Sequence, residues 1–198
     1  MKILLLLSFF FLSMPAMAQE KIPVTMVLRG SYQEDRVNPG FKTPLHSEGH
    51  FVVAPSEGVI WQAEKPFLTK TVLTKSGIAQ EINGQKSMSM GSDKIPFLTR
   101  LYQMIGGVLA GDWALLEDDF TIDQSKNNKE WKIILNPRNA DNHEMPFSSI
   151  VIYGHKFADK VVLKKKDGGS STLTFHDHKL SPLPLSVEER ATFKMVSP

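Results

Sequence analysis

The chain of 198 residues carries 23 Lys and Arg against 21 Asp and Glu, with 41% hydrophobic and 22% charged residues. That is the make-up of a globular domain and excludes disordered and collagenous chains. It holds no cysteine, which removes disulfide frameworks, thiolate zinc sites, iron–sulfur clusters and cysteine nucleophiles. A formal charge of +2, with basic residues spread apart except at Lys164, Lys165 and Lys166, offers no phosphate-tracking surface, so no nucleic-acid partner is expected.

In chain order, Lys2 precedes an apolar run from Ile3 to Leu12, then Ser13, Met14, Pro15 and the small-residue pattern Ala16-Met17-Ala18. This reads as a cleaved secretory signal peptide over residues 1–18, leaving 19–198 as one exported domain. The run is shorter than the roughly 20 residues that span a bilayer. Gln19 stands where a bacterial lipoprotein needs Cys. A cysteine-free exported chain suits the periplasm.

From Val24 onward, short alternating segments broken by Gly, Pro, Asn and Asp predict an antiparallel sheet. Val24 to Tyr32 is the first strand, ended by Asn38-Pro39-Gly40. His50 to Ala54 follows, turned by Pro55-Ser56-Glu57-Gly58 into Val59-Ile60-Trp61 as a hairpin. Phe67 to Thr74 alternates again; Ser76-Gly77 turns the chain into Ile78, Gln80 and Ile82, and Asn83-Gly84 favours a tight hairpin turn.

The two-residue period breaks after Ser92, a candidate N-cap. Ile95, Leu98, Leu101, Tyr102, Ile105, Val108 and Leu109 recur at offsets of three and four, predicting an amphipathic helix that ends at Gly111. Pro96 falls in its first turn, where a missing N–H costs little. Gly106-Gly107 lies inside, where each glycine costs about 1 kcal/mol relative to alanine. Such a helix needs its apolar stripe buried, or it moves.

Strand signals resume at Trp113 to Leu116, Asp119 to Ile122, Trp131 to Leu135, Ser149 to Tyr153, Lys160 to Lys165 and Ser171 to Phe175, with Asp167-Gly168-Gly169 as a hairpin turn. Beyond Pro182 and Pro184, Ser186-Val187-Glu188-Glu189 is a capping-box pattern opening a short helix toward Phe193.

Candidates for chemistry are sparse. His176-Asp177-His178 would put two imidazoles on one strand face, short of a metal site's ligand count; a solvated strand end is the plainer reading. Glu117-Asp118-Asp119 reads either as paired carboxylates or as solvated turn residues, and His143-Glu144 as a polar connection. The sequence holds no Gly-x-Ser-x-Gly elbow, phosphate loop, dinucleotide fingerprint or His-Glu-x-x-His. No enzymatic activity and no cofactor are expected.

Apolar side chains are in generous supply: Phe51, Val53, Trp61, Val72, Trp131, Ile133 and Leu135, with one strong helix to cover them. They either fill an ordinary core or line a cavity. Met88, Met90 and Met104 fit both readings, since Met fills awkward gaps and suits adaptable binding surfaces.

Arg29-Gly30-Ser31-Tyr32-Gln33-Glu34, Pro44-Leu45-His46-Ser47-Glu48-Gly49-His50-Phe51, Gly58-Val59-Ile60-Trp61 and Lys65-Pro66 together resemble the opening of the periplasmic lipoprotein carrier family, LolA. Phe97 to Asp112 resembles that family's central helix, and Trp131-Lys132-Ile133-Ile134-Leu135-Asn136-Pro137 its late Trp-x-Leu-x-Leu-x-Pro strand. The series covers about Leu28 to Phe175. Its Pro-Leu-x-Ser-x-Gly stretch looks more like a branch associated with polyene or other lipid-biosynthesis genes than like the housekeeping carrier. Two departures accompany the resemblance. Only Gln19 to Pro23 are available for the family's long N-terminal helix, and Ala54-Pro55-Ser56-Glu57 stands where the housekeeping carrier places a lid-holding arginine, so lid control should differ.

The resemblance implies a mainly β fold, an incompletely closed antiparallel barrel covered by a central and a short C-terminal helix, and a non-catalytic monomer that shields acyl chains. Its cargo would be an acylated lipoprotein or other lipid, received from an inner-membrane donor transporter and passed to an outer-membrane acceptor. The expected lining is Phe51, Val53, Trp61, Val72, Trp131 and Ile133, and the expected lid Leu98, Leu101, Tyr102 and Ile105. Two rivals remain: a scaffold protein with a filled interior, and a hydrolase or metal-dependent enzyme using His176 and His178.

Overall fold

The computed structural model describes residues 21–92, 96–127, 129–139 and 145–196, with the backbone alone at 96–99 and 101–103. The proposed leader, 1–18, lies outside the described residues. Among the described residues, eleven strands form one antiparallel sheet: β1 (Met26–Val37), β2 (Leu45–Ala54), β3 (Gly58–Lys65), β4 (Thr69–Thr74), β5 (Gly77–Ile82), β6 (Gln85–Gly91), β7 (Phe120–Asn127), β8 (Glu130–Pro137), β9 (Phe147–Gly154), β10 (Ala158–Lys165) and β11 (Ser170–Pro182). Their order is β6-β5-β4-β3-β2-β1-β11-β10-β9-β8-β7. The first strand is thus central, two meanders run outward from it, and β6 and β7 are unjoined ends: an incompletely closed barrel, as the family resemblance implied.

Helix α1 (Pro96–Ala110) separates the meanders, and α2 (Val187–Phe193) follows the last strand. The predicted Asn83-Gly84 turn is left-handed at both residues, φ 51° and 77°, as a two-residue hairpin between β5 and β6 requires. Strand β1 outruns its predicted end because the polar stretch Gln33–Arg36 ladders with β2 and β11 on both sides.

Trp113–Leu116, expected as a strand, is a 3-10 turn. Asp112 N–H reaches back to the Gly107 carbonyl at 2.9 Å, closing the helix end as a Schellman motif. The chain therefore folds onto α1, and Leu116 seats beside Gly107, where a Cβ would stand 3.0 Å from Leu116 Cγ. The bonds Leu115 N–H to Asp112 O and Asp119 N–H to Leu116 O then take the place of a ladder. The second half of α1 is held further by Ile22 N–H on Ala110 O at 2.8 Å and by the Lys21–Asp112 ion pair at 2.6 Å.

Period-two alternation divides the apolar residues between two faces. Inward, Leu28, Tyr32, Phe51, Val53, Val59, Ile133, Leu135, Ile150, Ile152 and Phe175 pack with Met104, Val108 and Leu109 of α1. Outward, Val27, Ala54, Ile60, Val72 and Ala79 pack under Leu185, Phe193 and Val196 around α2. The predicted capping box of α2 is formed, Ser186 Oγ accepting from Glu189 N–H at 3.1 Å and Glu189 Oε2 from Ser186 N–H at 2.7 Å. Glu189 also grips Arg29 of β1 through two bonds of 2.6 and 2.7 Å, which pins α2 to the outer face.

Candidate lipid-binding cavity

The inner face is not filled throughout. A cavity of about 310 Å³ lies between α1 and the sheet. On one side it is walled by Val59 and Trp61 of β3, Leu73 of β4 and Ile78 of β5. On the other stand Phe147 and Ile150 of β9, Val161 and Leu163 of β10, and Leu173 and Phe175 of β11. Met104, Ile105, Val108 and Leu109 of α1 close it from above. The side chains of one helix do not fill the whole space down to so curved a sheet, and the unfilled remainder beneath α1 is the cavity.

Its floor is aromatic. Trp61 lies 4.0 Å from Tyr32 between ring centroids, and Trp61 and Phe51 each meet Phe175 edge-on, at 6.1 and 5.4 Å. Edge-to-face pairs hold the rings at fixed angles, so the floor is shaped rather than soft. Burial pushes the Tyr32 phenol up to about 12.

Among the described residues, two of the lining are polar, Glu34 and Thr71. Thr71 Oγ1 accepts from Gln80 Nε2 at 3.0 Å, so its polarity is spent within the wall. Glu34 accepts from Arg36 Nη2 at 3.0 Å on both carboxylate oxygens, from Arg36 Nε at 3.3 Å and from Ser47 Oγ at 3.3 Å. Its side chain is 11% exposed and that of Arg36 is 47% exposed, so the pair runs from the cavity wall out to solvent. The described lining suits hydrocarbon, with one charged side chain, Glu34, whose partner Arg36 reaches solvent.

Residues 19–170 match the family described as outer membrane lipoprotein carrier protein LolA-like. The chain belongs to this family. A comparison with curated proteins finds no match. Among solved structures this LolA-like chain is similar to a LolA superfamily protein from Nitrosomonas europaea, at 12% identity and TM-score 0.44, over 80% of this chain and 87% of the other. It is also similar to a putative outer membrane lipoprotein-sorting protein domain from Vibrio parahaemolyticus, at 7% identity and TM-score 0.39, over 86% and 92%. A third likeness is to the MucA/MucB complex of Pseudomonas aeruginosa, at 9% identity and TM-score 0.40, over 83% and 55%.

Of the six residues expected to line the cavity of the LolA-like barrel, Trp61 does so. Phe51, Val53, Trp131 and Ile133 face inward but are packed away in the core, each 3% exposed or less, where side chains of the interior already meet them. Val72 is corrected to the outer face, among the residues under α2. Laddered partners share a face, and Val72 opposes Ile60, whereas Trp61 opposes Thr71. Thr71 and Leu73 are therefore the β4 residues of the cavity. Of the expected lid residues, Ile105 lines the cavity, and the side chains of Leu98, Leu101 and Tyr102 lie outside the described residues.

The two histidines do not share a face. Asp177 between them is left-handed at φ 54°, which turns His178 inward against Phe51 and Phe157, at ring distances of 6.1 and 5.3 Å, while His176 stays exposed. Burial lowers the His178 pKa, against the pull of Asp159 and of a bond to the Ala158 backbone. Asp119 pairs with Arg100 at 3.7 Å and its carbonyl accepts from Arg138 N–H, roles that tie the end of the 3-10 segment to β8. His143 and Glu144 lie outside the described residues. Among the described residues no three His, Asp or Glu gather as a metal site, and no helix is long and apolar enough to cross a membrane.

Proposed function

We propose that this protein is a non-catalytic periplasmic carrier that shelters the acyl chains of a lipid or lipoprotein between an inner-membrane donor and an outer-membrane acceptor. The observation that carries the reading is the cavity itself, apolar but for Glu34 and Thr71 and floored by Trp61 and Phe175. An engineered apolar cavity of about 150 Å³ takes one six-carbon ring. A space of about 310 Å³ is roughly twice that, so it holds on the order of twelve carbons. At about 0.8 kcal/mol per methylene, sheltering them offsets roughly 10 kcal/mol of exposure to water. Subtracting at least about 4 kcal/mol for lost freedom on association leaves about 6 kcal/mol at most, a dissociation constant on the order of 0.1 mM for this stretch of chain.

Such an affinity suits a carrier, which must release as readily as it binds. Longer chains would enter by displacing the α1 side chains that cap the space, Met104 and Ile105 among them, so α1 serves as the lid. Transfer then follows the difference in affinity between donor and acceptor. Native mass spectrometry of protein purified without detergent, followed by solvent extraction, tests the reading. Co-purifying acyl lipid is the expected result, and protein that neither carries lipid nor takes up a neutral acyl probe refutes it.

A further inference from the structure

We propose that Glu34 selects the head group of the cargo, admitting acyl ligands whose head is an uncharged hydrogen-bond donor and rejecting those that end in a carboxylate. The inference rests on the carrier reading and adds the class of ligand to it. Glu34 is the charged side chain of the lining among the described residues, and it sits where the apolar wall gives way to solvent. A chain laid in the cavity brings its polar end to that place.

The choice of head follows from which member of the ion pair is buried. Arg36 already spends Nε and Nη2 on Glu34, a partner two residues away on the same strand and so held at high effective concentration. An incoming carboxylate gains the paired Nε and Nη2 donors of the guanidinium only by displacing Glu34. That would strand a nearly buried anion beside Leu173, its neighbour across the ladder, with Ser47 as its remaining donor. Without the displacement it is left with the Nη1 side, and two carboxylates share one guanidinium, so that each disfavours the charge of the other. A hydroxyl or amide N–H meets neither obstacle. A carboxylate offers about four lone-pair sites for the three donors Arg36 Nε, Arg36 Nη2 and Ser47 Oγ, so Glu34 accepts one more once the bond that Nη2 shares between both oxygens settles on one.

The test is competition against a fluorescent neutral acyl probe at pH 8, using monomyristin, N-myristoylethanolamine and myristate, which share one chain and differ in the head. Wild type, Glu34→Gln and Arg36→Gln are compared, with thermal unfolding as the check that each variant is folded. Wild type should bind the two neutral ligands at least about tenfold more tightly than myristate. Glu34→Gln, which keeps the shape and an acceptor for Arg36 but offers the head group no further charged acceptor, should tighten myristate about tenfold and weaken the neutral ligands several-fold, so that the preference is lost. Neutral ligands bound without preference over myristate, or a Glu34→Gln effect equal for all three, overturns the proposal while leaving the carrier reading intact. Tight myristate binding lost in Arg36→Gln also overturns it, since the pair would then read anions. Binding of no ligand overturns both.

Discussion

Two neighbouring residues on β4 offer the sharpest separation of cavity from core. Leu73 lines the cavity and Val72 is fully buried on the opposite face under α2. Leu73→Trp adds about six heavy atoms to a space that stands empty, displacing roughly four methylenes of any guest, a loss of about 3 kcal/mol or more than a hundredfold in affinity. Folding should barely notice, because the new ring fills a void in place of forcing its neighbours apart. Val72→Trp has nowhere to go: overpacking there costs about 1–3 kcal/mol, several degrees of melting temperature in a domain of this size, with ligand affinity preserved. Fluorescent acylglycerol titration and differential scanning calorimetry on both variants read the two quantities. A Leu73→Trp protein that unfolds at the wild-type temperature yet binds within threefold of wild type refutes the assignment of the cavity as the binding space.

Other outcomes follow from the same geometry. Glu189→Ala removes the grip on Arg29 and the half of the capping box that satisfies Ser186 N–H, leaving Ser186 Oγ on the backbone N–H of residue 189, and should cost about 2 kcal/mol by urea denaturation, most of it from the charged pair. The Arg29 side chain and the Ser186 N–H hold the Glu189 carboxyl below its ordinary 4.5, so this contribution is present above that value and fades as pH falls beneath it. His178, lowered by burial from 6.5 and faced by Phe51, Phe157, Asp159, Asp177 and His176, gives stability that is complete above 6.5 and declines as acid forces a charge among the rings. Melting temperature should fall between pH 7 and 5, less steeply in His178→Gln. Absorbance titration at 295 nm should show one tyrosine ionising near 12, absent in Tyr32→Phe, with stability lost from about 10 upward as the unfolded chain ionises first. Gly106→Ala, where a Cβ meets nothing within 4 Å, should stabilise by about 1 kcal/mol, whereas Gly107→Leu drives into Leu116 and destabilises.

The strands, the main helix and the capping box were legible because each is a local pattern: alternation, a three-and-four spacing, a serine three residues before a glutamate. The cavity was legible only as a surplus of apolar side chains. Strand parity separates the two faces, but the parity of β4 hangs on its pairing with β3 across Lys65–Leu68, and hairpin register is a property of the turn, which composition does not set. Taking Trp61 inward and adding the observed register gives Thr71 and Leu73 at once. Phe51, Val53, Trp131 and Ile133 have the right parity but sit on β2 and β8, which among the described residues add nothing to the lining, even though Phe51 and Val53 stand directly across from the cavity residues Trp61 and Val59; which strands border the space is a matter of how the sheet curls under α1. Glu34 escaped notice because an acid in the charged run Glu34-Asp35-Arg36 reads as a solvated strand end; its meaning comes from the space it borders. His176 and His178 were split by a left-handed Asp177, a backbone conformation that no side-chain spacing announces.

The gap between β6 and β7 has a mechanical consequence. In a closed barrel, strand number and stagger fix the girth, and a wider guest must break rungs. Here, among the described residues, ten ladders join eleven strands and none joins the last to the first. A small change of twist shared among those ladders uncoils the sheet like a spring and spends no backbone hydrogen bond. The tolerated bulk of a cargo is then set by how far that spring opens, and by what side chains across the seam surrender, more than by the volume standing vacant at rest.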